Sequence, residues 1–189
     1  MLRSGELREL LARDLPDALA PERIPASQNG ANEGTVKEGA PANAKGAAGE
    51  GTRPVLQDYD AVVRAESIQQ VAAYLRDRHG YQYLSHLMAV DYILDGLIEV
   101  VYHFFHLDGG GPQTVRVRVP RDNAVIPSLA GEWGGANLQE RHAYDLYGVH
   151  FTGHPYLRRI YLWDEFQGHP MRKDFPKTGD KYTHETGAE

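Results

Sequence analysis

Apolar residues along the latter part of the chain recur with two periods, which divide it into helices and strands. Ile68, Val71, Ala72 and Leu75 fall three and four apart and form one helical face. Ser67 with Gln70 gives a capping pattern ahead of them and Gly80 a left-handed stop, so the spacing predicts a helix closed at Gly80. Residues 81–92 and 97–107 are rich in β-branched and aromatic side chains and meet at Asp95-Gly96, a hairpin signal. Over residues 114–119, Val115, Val117 and Val119 face one way and Arg116 and Arg118 the other, the alternation of a half-solvated strand. Gly109-Gly-Gly-Pro112 reads as the connection into it. A strand is expected over 55–65, one helical turn over 126–130, and a second main helix from the Asn137/Glu140 capping pattern through Tyr147, stopped by Gly148.

Upstream, Leu7, Leu10, Leu11 and Leu15 make the narrow stripe of a short amphipathic helix ending at Pro16. From about residue 26 to 53 large apolar side chains nearly vanish, and such a stretch cannot offset the entropy of ordering. The expected organisation is an amphipathic segment at 1–25, a flexible linker at 26–53, an α+β domain at 54–147 and an extended docking segment at 148–189. The fold class is α+β, a small and mostly antiparallel sheet covered by helices on one face.

Charge and composition then remove several kinds of chemistry. A formal charge of −6 leaves no overall basic surface for nucleic acid. The chain has no cysteine, which excludes disulfides, thiolate zinc sites and iron–sulfur ligation by its own residues. Its longest apolar run is broken by Glu99, His103 and His106, well short of the roughly 20 residues a spanning helix needs. The N-terminus is charged and helical in period, unlike a signal peptide.

What remains distinctive is residues 148–176. Gly-His-Pro occurs there twice, at 153–155 and 168–170, and each proline fixes its own φ and holds the histidine before it extended. Each is a rigid corner, followed by a basic pair, Arg158-Arg159 or Arg172-Lys173. Phe151, Tyr156, Tyr161, Trp163, Phe166 and Phe175 supply aromatic anchors. The segment reads as a strap, which either finishes the domain's own surface or lies across a partner. His142, His150, His154 and His169 offer metal-ligand spacings, but no helical His-Glu-x-x-His pattern occurs and two of the four precede proline. Asp145, Asp164, Glu165 and Asp174 lie near these histidines, yet no nucleophile elbow or phosphate loop accompanies them. No self-contained active site is expected. Arg141 and Asp145 stand at i and i+4 with the cation first, the less favourable order for helix stability, which points the pair to a role beyond the helix.

Read together, Glu140-Arg141-His142-Ala-Tyr144-Asp145-Leu-Tyr-Gly148, Gly153-His154-Pro155-Tyr-Leu-Arg158-Arg159-Ile and Gly168-His169-Pro170-Met-Arg172-Lys173-Asp174-Phe175-Pro176 resemble the 30-kDa subunit family of respiratory complex I. The chain departs from that pattern at His142 and Tyr156, where the family usually carries acids. The resemblance implies a cofactor-free subunit of the peripheral arm of a proton-translocating NADH:quinone oxidoreductase, with no catalytic, cofactor-binding or metal residues of its own. It implies docking on the large, 49-kDa-type quinone-site subunit and neighbouring iron–sulfur subunits, with FMN, iron–sulfur clusters and quinone held by partners. It places the protein peripherally on the cytoplasmic side of the cell membrane, with membrane contact only through the complex. The residues it nominates for the subunit interface are Arg141, Asp145, His154, Arg158, Arg159, His169, Arg172, Lys173, Asp174 and Phe175. The equivalent subunit of a membrane-bound hydrogenase or another donor's dehydrogenase is the alternative, and a His-metal hydrolase the more distant one.

Overall fold

The computed structural model describes Leu2, residues 6–20 and residues 61–176. The linker at 26–53, the first half of the strand expected at 55–65 and the chain beyond 176 lie outside the described residues.

Four strands form the main sheet: β1 (Ala61–Val63), β2 (Tyr83–Tyr92), β3 (Leu97–Phe105) and β4 (Gln113–Pro120), in the order β1-β4-β3-β2. β1 runs parallel to β4 and the other pairings are antiparallel. Because side chains alternate across a strand, this register gathers Leu84, Leu87 and Ala89 of β2, Ile98, Val100, Tyr102 and Phe104 of β3 and Val115, Val117 and Val119 of β4 on one face. Onto that face pack Leu7 and Leu11 of α1 (Glu6–Asp14), Ile68, Val71, Ala72 and Leu75 of α2 (Ile68–His79), and Ala136 and Ala143 of α3 (Ala136–Tyr147), all in one buried cluster. The α+β class and the single helical layer are as the periodicity predicts.

Gly80 (φ 73°) closes α2, with its own N–H bonded to the Arg76 carbonyl and the Tyr81 N–H to the Leu75 carbonyl. Gly96 (φ 64°) occupies the left-handed position of the β2–β3 turn.

Three local expectations are corrected. Residues 126–130 form no helical turn: β5 (Val125–Pro127) pairs in parallel with β6 (His150–Thr152), and the Ser128 N–H continues the ladder to the Thr152 carbonyl. The two-residue alternation around Ile126 is too short to stand out beside Pro127-Ser128, which mimics a helix start. Neither capping pattern acts as one. Ser67 makes no side-chain cap bond after its 3-10 turn, and Glu140 reaches away from the start of α3 altogether. Lastly, the Arg116/Arg118 face is not simply solvated. Arg116 Nη1 and Arg118 Nε donate to the two oxygens of fully buried Glu99 at 2.7 and 2.8 Å, so charge pairing takes the place of water there.

α3 also guards the sheet's outer edge. Gln139 accepts the Leu87 N–H through Oε1 and donates to the Ser85 carbonyl through Nε2, beside the β2 bulge between Leu84 and His86. That covers backbone groups which a free edge would offer to other chains.

Candidate functional site

The segment after α3 runs back along that helix and is fastened at both ends of it by the two Gly-His-Pro corners. At the first corner, His154 Nδ1 accepts the Tyr156 N–H at 2.9 Å, so the ring proton sits on Nε2 and is donated to the Asn137 carbonyl, 3.1 Å away in the first turn of α3. At the second, His169 donates from Nδ1 to the Asp145 carbonyl at 3.0 Å, in the last turn. Burial holds the His169 pKa below its ordinary value, which suits a neutral donor.

A helix leaves its last carbonyls without partners, and here the strap supplies them. Gly148 N–H and Val149 N–H bond the Tyr144 and Ala143 carbonyls, His169 takes Asp145, the Met171 N–H takes Leu146 at 3.1 Å, and Arg172 Nε takes Tyr147 at 2.7 Å. The cation at this end also matches the helix dipole. Gly148 (φ 74°) is the pivot. A β-carbon there would lie 2.5 Å from His169 Nε2 and 2.9 Å from an Arg172 nitrogen, so the strap closes over a space only glycine leaves. Replacing Gly148 by alanine is expected to lower stability by about 2 kcal/mol, from left-handed strain plus displaced strap anchors. Urea unfolding checks this, and an unchanged midpoint would show that the strap is not seated there.

Asp145 is the hub. Its fully buried carboxylate accepts the backbone N–H groups of Ile160, Tyr161 and Leu162 at 3.0, 2.8 and 3.2 Å on Oδ2, and Arg159 Nη1 at 2.8 Å on Oδ1. Burial alone would raise its pKa, but the bonds from Tyr161, Ile160, Arg159 and Leu162 outweigh it and hold the group below the usual carboxylate range. Arg159 Nη2 continues to the Phe166 and Gly168 carbonyls at 3.2 and 3.3 Å. Arg141 does not pair with Asp145; its Nε and Nη2 donate to the Arg158 and Arg159 carbonyls at 3.1 and 3.4 Å. One turn apart on α3, the two side chains grip the same stretch of strap, a use that helix propensity could not reveal.

The strap's far end is tied to the sheet through Asp91. Arg121 donates to both Asp91 oxygens at 2.8 and 3.1 Å and to Asp174 at 2.5 Å, and the Lys173 N–H reaches Asp91 Oδ2 at 2.8 Å. Phe175 stacks on Phe166, whose ring in turn meets Trp163 edge-on.

Of the ten nominated residues, therefore, Arg141, Asp145, His154, Arg159, His169, Arg172 and Asp174 spend side-chain polar groups on contacts within the chain. Lys173 contributes its backbone and Phe175 its ring, while Arg158 faces outward. With it on the outer surface lie Leu138, Tyr156, Tyr161, Trp163 and Met171. Sequence reasoning missed Asp91, Arg121, Ser128 and the destination of Glu140. Asp91 had a signal, since it continues the core-facing series Leu87, Ala89. Glu140 had one too, lying four after Ala136 and three before Ala143 on the helix's buried stripe.

Glu140 Oε2 accepts the Ser128 hydroxyl at 2.5 Å and Oε1 the Leu129 N–H at 2.7 Å, joining α3 to the loop after β5. His154 Nε2 lies 4.0 Å away, and the buried Tyr102 hydroxyl, close enough to feel the same carboxyl group, has no hydrogen-bond partner among the described residues.

The family described as "Respiratory-chain NADH dehydrogenase, 30 Kd subunit" matches residues 61–181, more than half of the chain. The chain belongs to this family. Among its relatives, an NADH-quinone oxidoreductase subunit of Moorella thermoacetica is 45% identical over 114 residues, covering 60% of this chain and 77% of that protein. Its namesake from Roseiflexus sp. RS-1 is 41% identical over 122 residues, covering 63% and 70%. A chain in the structure of a membrane-bound sulfane sulfur reductase, an archaeal respiratory membrane complex, superposes with a TM-score of 0.53 at 26% identity, over 63% of this chain and 72% of that one. A member of this 30-kDa family is a subunit of an enzyme complex. Among the described residues no three of His, Cys, Asp or Glu are arranged to hold a metal, and no helix is long and apolar enough to cross a membrane.

Proposed function

We propose that the chain is a cofactor-free peripheral-arm subunit of a proton-translocating NADH:quinone oxidoreductase, and that residues 148–176 are its docking element for the large quinone-site subunit and neighbouring iron–sulfur subunits. FMN, clusters and quinone reside in those partners, and the protein sits on the cytoplasmic side of the membrane through them. The observation that carries the docking reading is the strap's construction. Arg159, His169 and Arg172 are committed to α3 and the Lys173 N–H to Asp91, which holds in place an outward surface of Tyr156, Tyr161, Trp163, Met171 and Arg158 with the acids Asp164 and Glu165 beside them. A surface already ordered gives up little conformational entropy on binding.

The nominated residues then divide by role. Arg159, His169 and Arg172 shape the strap, whereas Arg158 meets the partner. Replacing Arg158 and Arg159 together would blur the two, because Arg159 acts through Asp145. Cutting the chain after Ile160 would likewise strip partners from the α3 carbonyls as well as remove the docking surface.

The test is purification of the tagged full chain from solubilised native membranes. We expect the large subunit and iron–sulfur subunits to co-purify with NADH:quinone reductase activity, and the separated chain to carry no flavin or cluster absorbance. A chain that purifies alone, with its own chromophore or turnover, would overturn the reading. A second reading, the same module in a complex with another electron donor, is supported by the likeness to the sulfane sulfur reductase chain. Partners that reduce quinone or another acceptor without NADH would favour it.

A further inference from the structure

Tyr156 stands on the outer surface, 53% exposed, with two guanidinium groups close to its ring. The Arg141 carbon lies 5.4 Å from the ring centroid and the Arg158 carbon 5.1 Å. Arg158 Nη1 donates to the Tyr156 oxygen, so the phenol's own proton stays available to a further acceptor. Arg141 is steadied by backbone carbonyls, which carry no formal charge to cancel its own. The carboxylate of Asp164 comes only within 3.6 Å of Arg158, and both side chains are more than half exposed, a contact that water screens heavily. Two positive charges and one hydroxyl proton therefore converge on a chain whose overall charge is −6.

Around them the surface is apolar and aromatic. Leu138, Arg141 and His142 share the outward stripe of α3 at i, i+3 and i+4, and exposed Tyr161 meets His142 edge-on at 5.6 Å. Tyrosine and arginine flanked by an aliphatic side chain are the composition of an interface centre, and Asp164 stands at its rim, 3.6 Å from Arg158.

We propose that Tyr156, together with Arg141 and Arg158 beside its ring, is the seat for a carboxylate-bearing segment of the large quinone-site subunit, with Leu138 and Tyr161 packing against that segment's apolar flank. This rests on the reading of the strap as a docking element and names the chemistry of what it takes. Each guanidinium keeps N–H groups outside its present bonds, and a carboxylate accepts them two at a time. Arg158 is the residue to vary, because unlike Arg141 it anchors nothing in α3.

The experiment titrates the co-expressed large quinone-site subunit onto the immobilised full chain at salt concentrations from low to high. Wild-type capture should weaken steeply with salt, and Arg158→Glu should weaken it about tenfold or more at low salt and flatten the salt dependence. Tyr156→Phe, which keeps the ring and loses the proton, should fall between. Unaltered circular dichroism and melting of both variants are expected, since the positions are exposed. Wild-type capture matched by Arg158→Glu at every salt concentration would overturn this proposal and leave the docking reading standing. No capture by wild type would overturn both. Arg158-dependent binding to phosphatidylglycerol vesicles, with binding of the large subunit unaffected, would assign the surface to a lipid headgroup and overturn the proposal as well.

Discussion

Replacing Asp145 by alanine is expected to release the strap while the sheet stays folded. The buried carboxylate is the acceptor for the N–H groups of residues 160–162 and the counter-charge of Arg159, whose side chain is itself 13% exposed. Removing it leaves a largely buried cation and three backbone donors unsatisfied at once, a loss of about 3–5 kcal/mol. That loss should stay local. The strap adds few side chains to the main core beyond Val149 and Phe151, and these lie ahead of the first Gly-His-Pro corner. Trypsin should then cut quickly after Arg158, Arg159 or Arg172 while residues 61–147 resist and far-ultraviolet circular dichroism changes little. Asp145→Asn should cost less, since its oxygen can still serve the three N–H groups while its amide confronts Arg159. The same logic gives a sign with pH. A carboxylate held below its ordinary pKa contributes stability that is present above the unfolded value and is lost as pH falls through the folded one, so wild-type strap release is expected in acid. Protection from trypsin equal to wild type in the alanine variant would show that the strap is held by something other than this hub.

How far this arrangement was legible in the sequence depends on the range over which each signal acts. Helical and strand periods are local and dictated most of the fold; Gly80 and Gly148 were readable because a left-handed closing residue almost demands glycine. β5 was not, because three residues hold too few alternations to outweigh a proline-serine pair that resembles a helix start. The corners at His154 and His169 were visible as rigid geometry, but nothing local says that one histidine takes the first turn of α3 and the other its last. Asp145 is the sharper case. The cation-first order at Arg141 and Asp145 pointed to a role beyond the helix but not to the partner, and the carboxylate turns to a segment 14–17 residues on, whose backbone offers three donors together. Partners chosen at that separation depend on the path of the chain between them, and single-residue patterns do not encode it.

Glu140, five residues before Asp145 on the same helix, is expected to give the opposite pH dependence. Its burial pushes the carboxyl up to about 7, because the bonds from Ser128 and Leu129 only partly replace lost hydration. Among the described residues no cation is hydrogen-bonded to it. His154 faces it from the strap at 4.0 Å, with Nε2 bonded to the Asn137 carbonyl and Nδ1 to the Tyr156 N–H, and Tyr102 faces it from β3 as an uncharged phenol. A carboxyl raised in the folded state contributes stability that is full below its unfolded pKa, near 4.5, and is lost as pH rises through about 7. Over that window the loss amounts to about 3 kcal/mol, at roughly 1.36 kcal/mol for each pKa unit. Buried His169 works the other way, since its lowered pKa makes stability fall as pH drops below the ordinary histidine value. The two slopes overlap in the wild-type curve, so the decisive quantity is the difference between wild type and Glu140→Gln. Glutamine retains an acceptor for the Leu129 N–H and can donate to the Ser128 oxygen, yet it carries no charge to bury. The variant should match or exceed wild-type stability at about pH 8 and lose its advantage towards about pH 5, as measured by urea midpoints across that range. A constant difference between the two proteins over the whole range would mean that Glu140 does not change its protonation there, and that its two hydrogen bonds, rather than its charge, set the cost of keeping it inside.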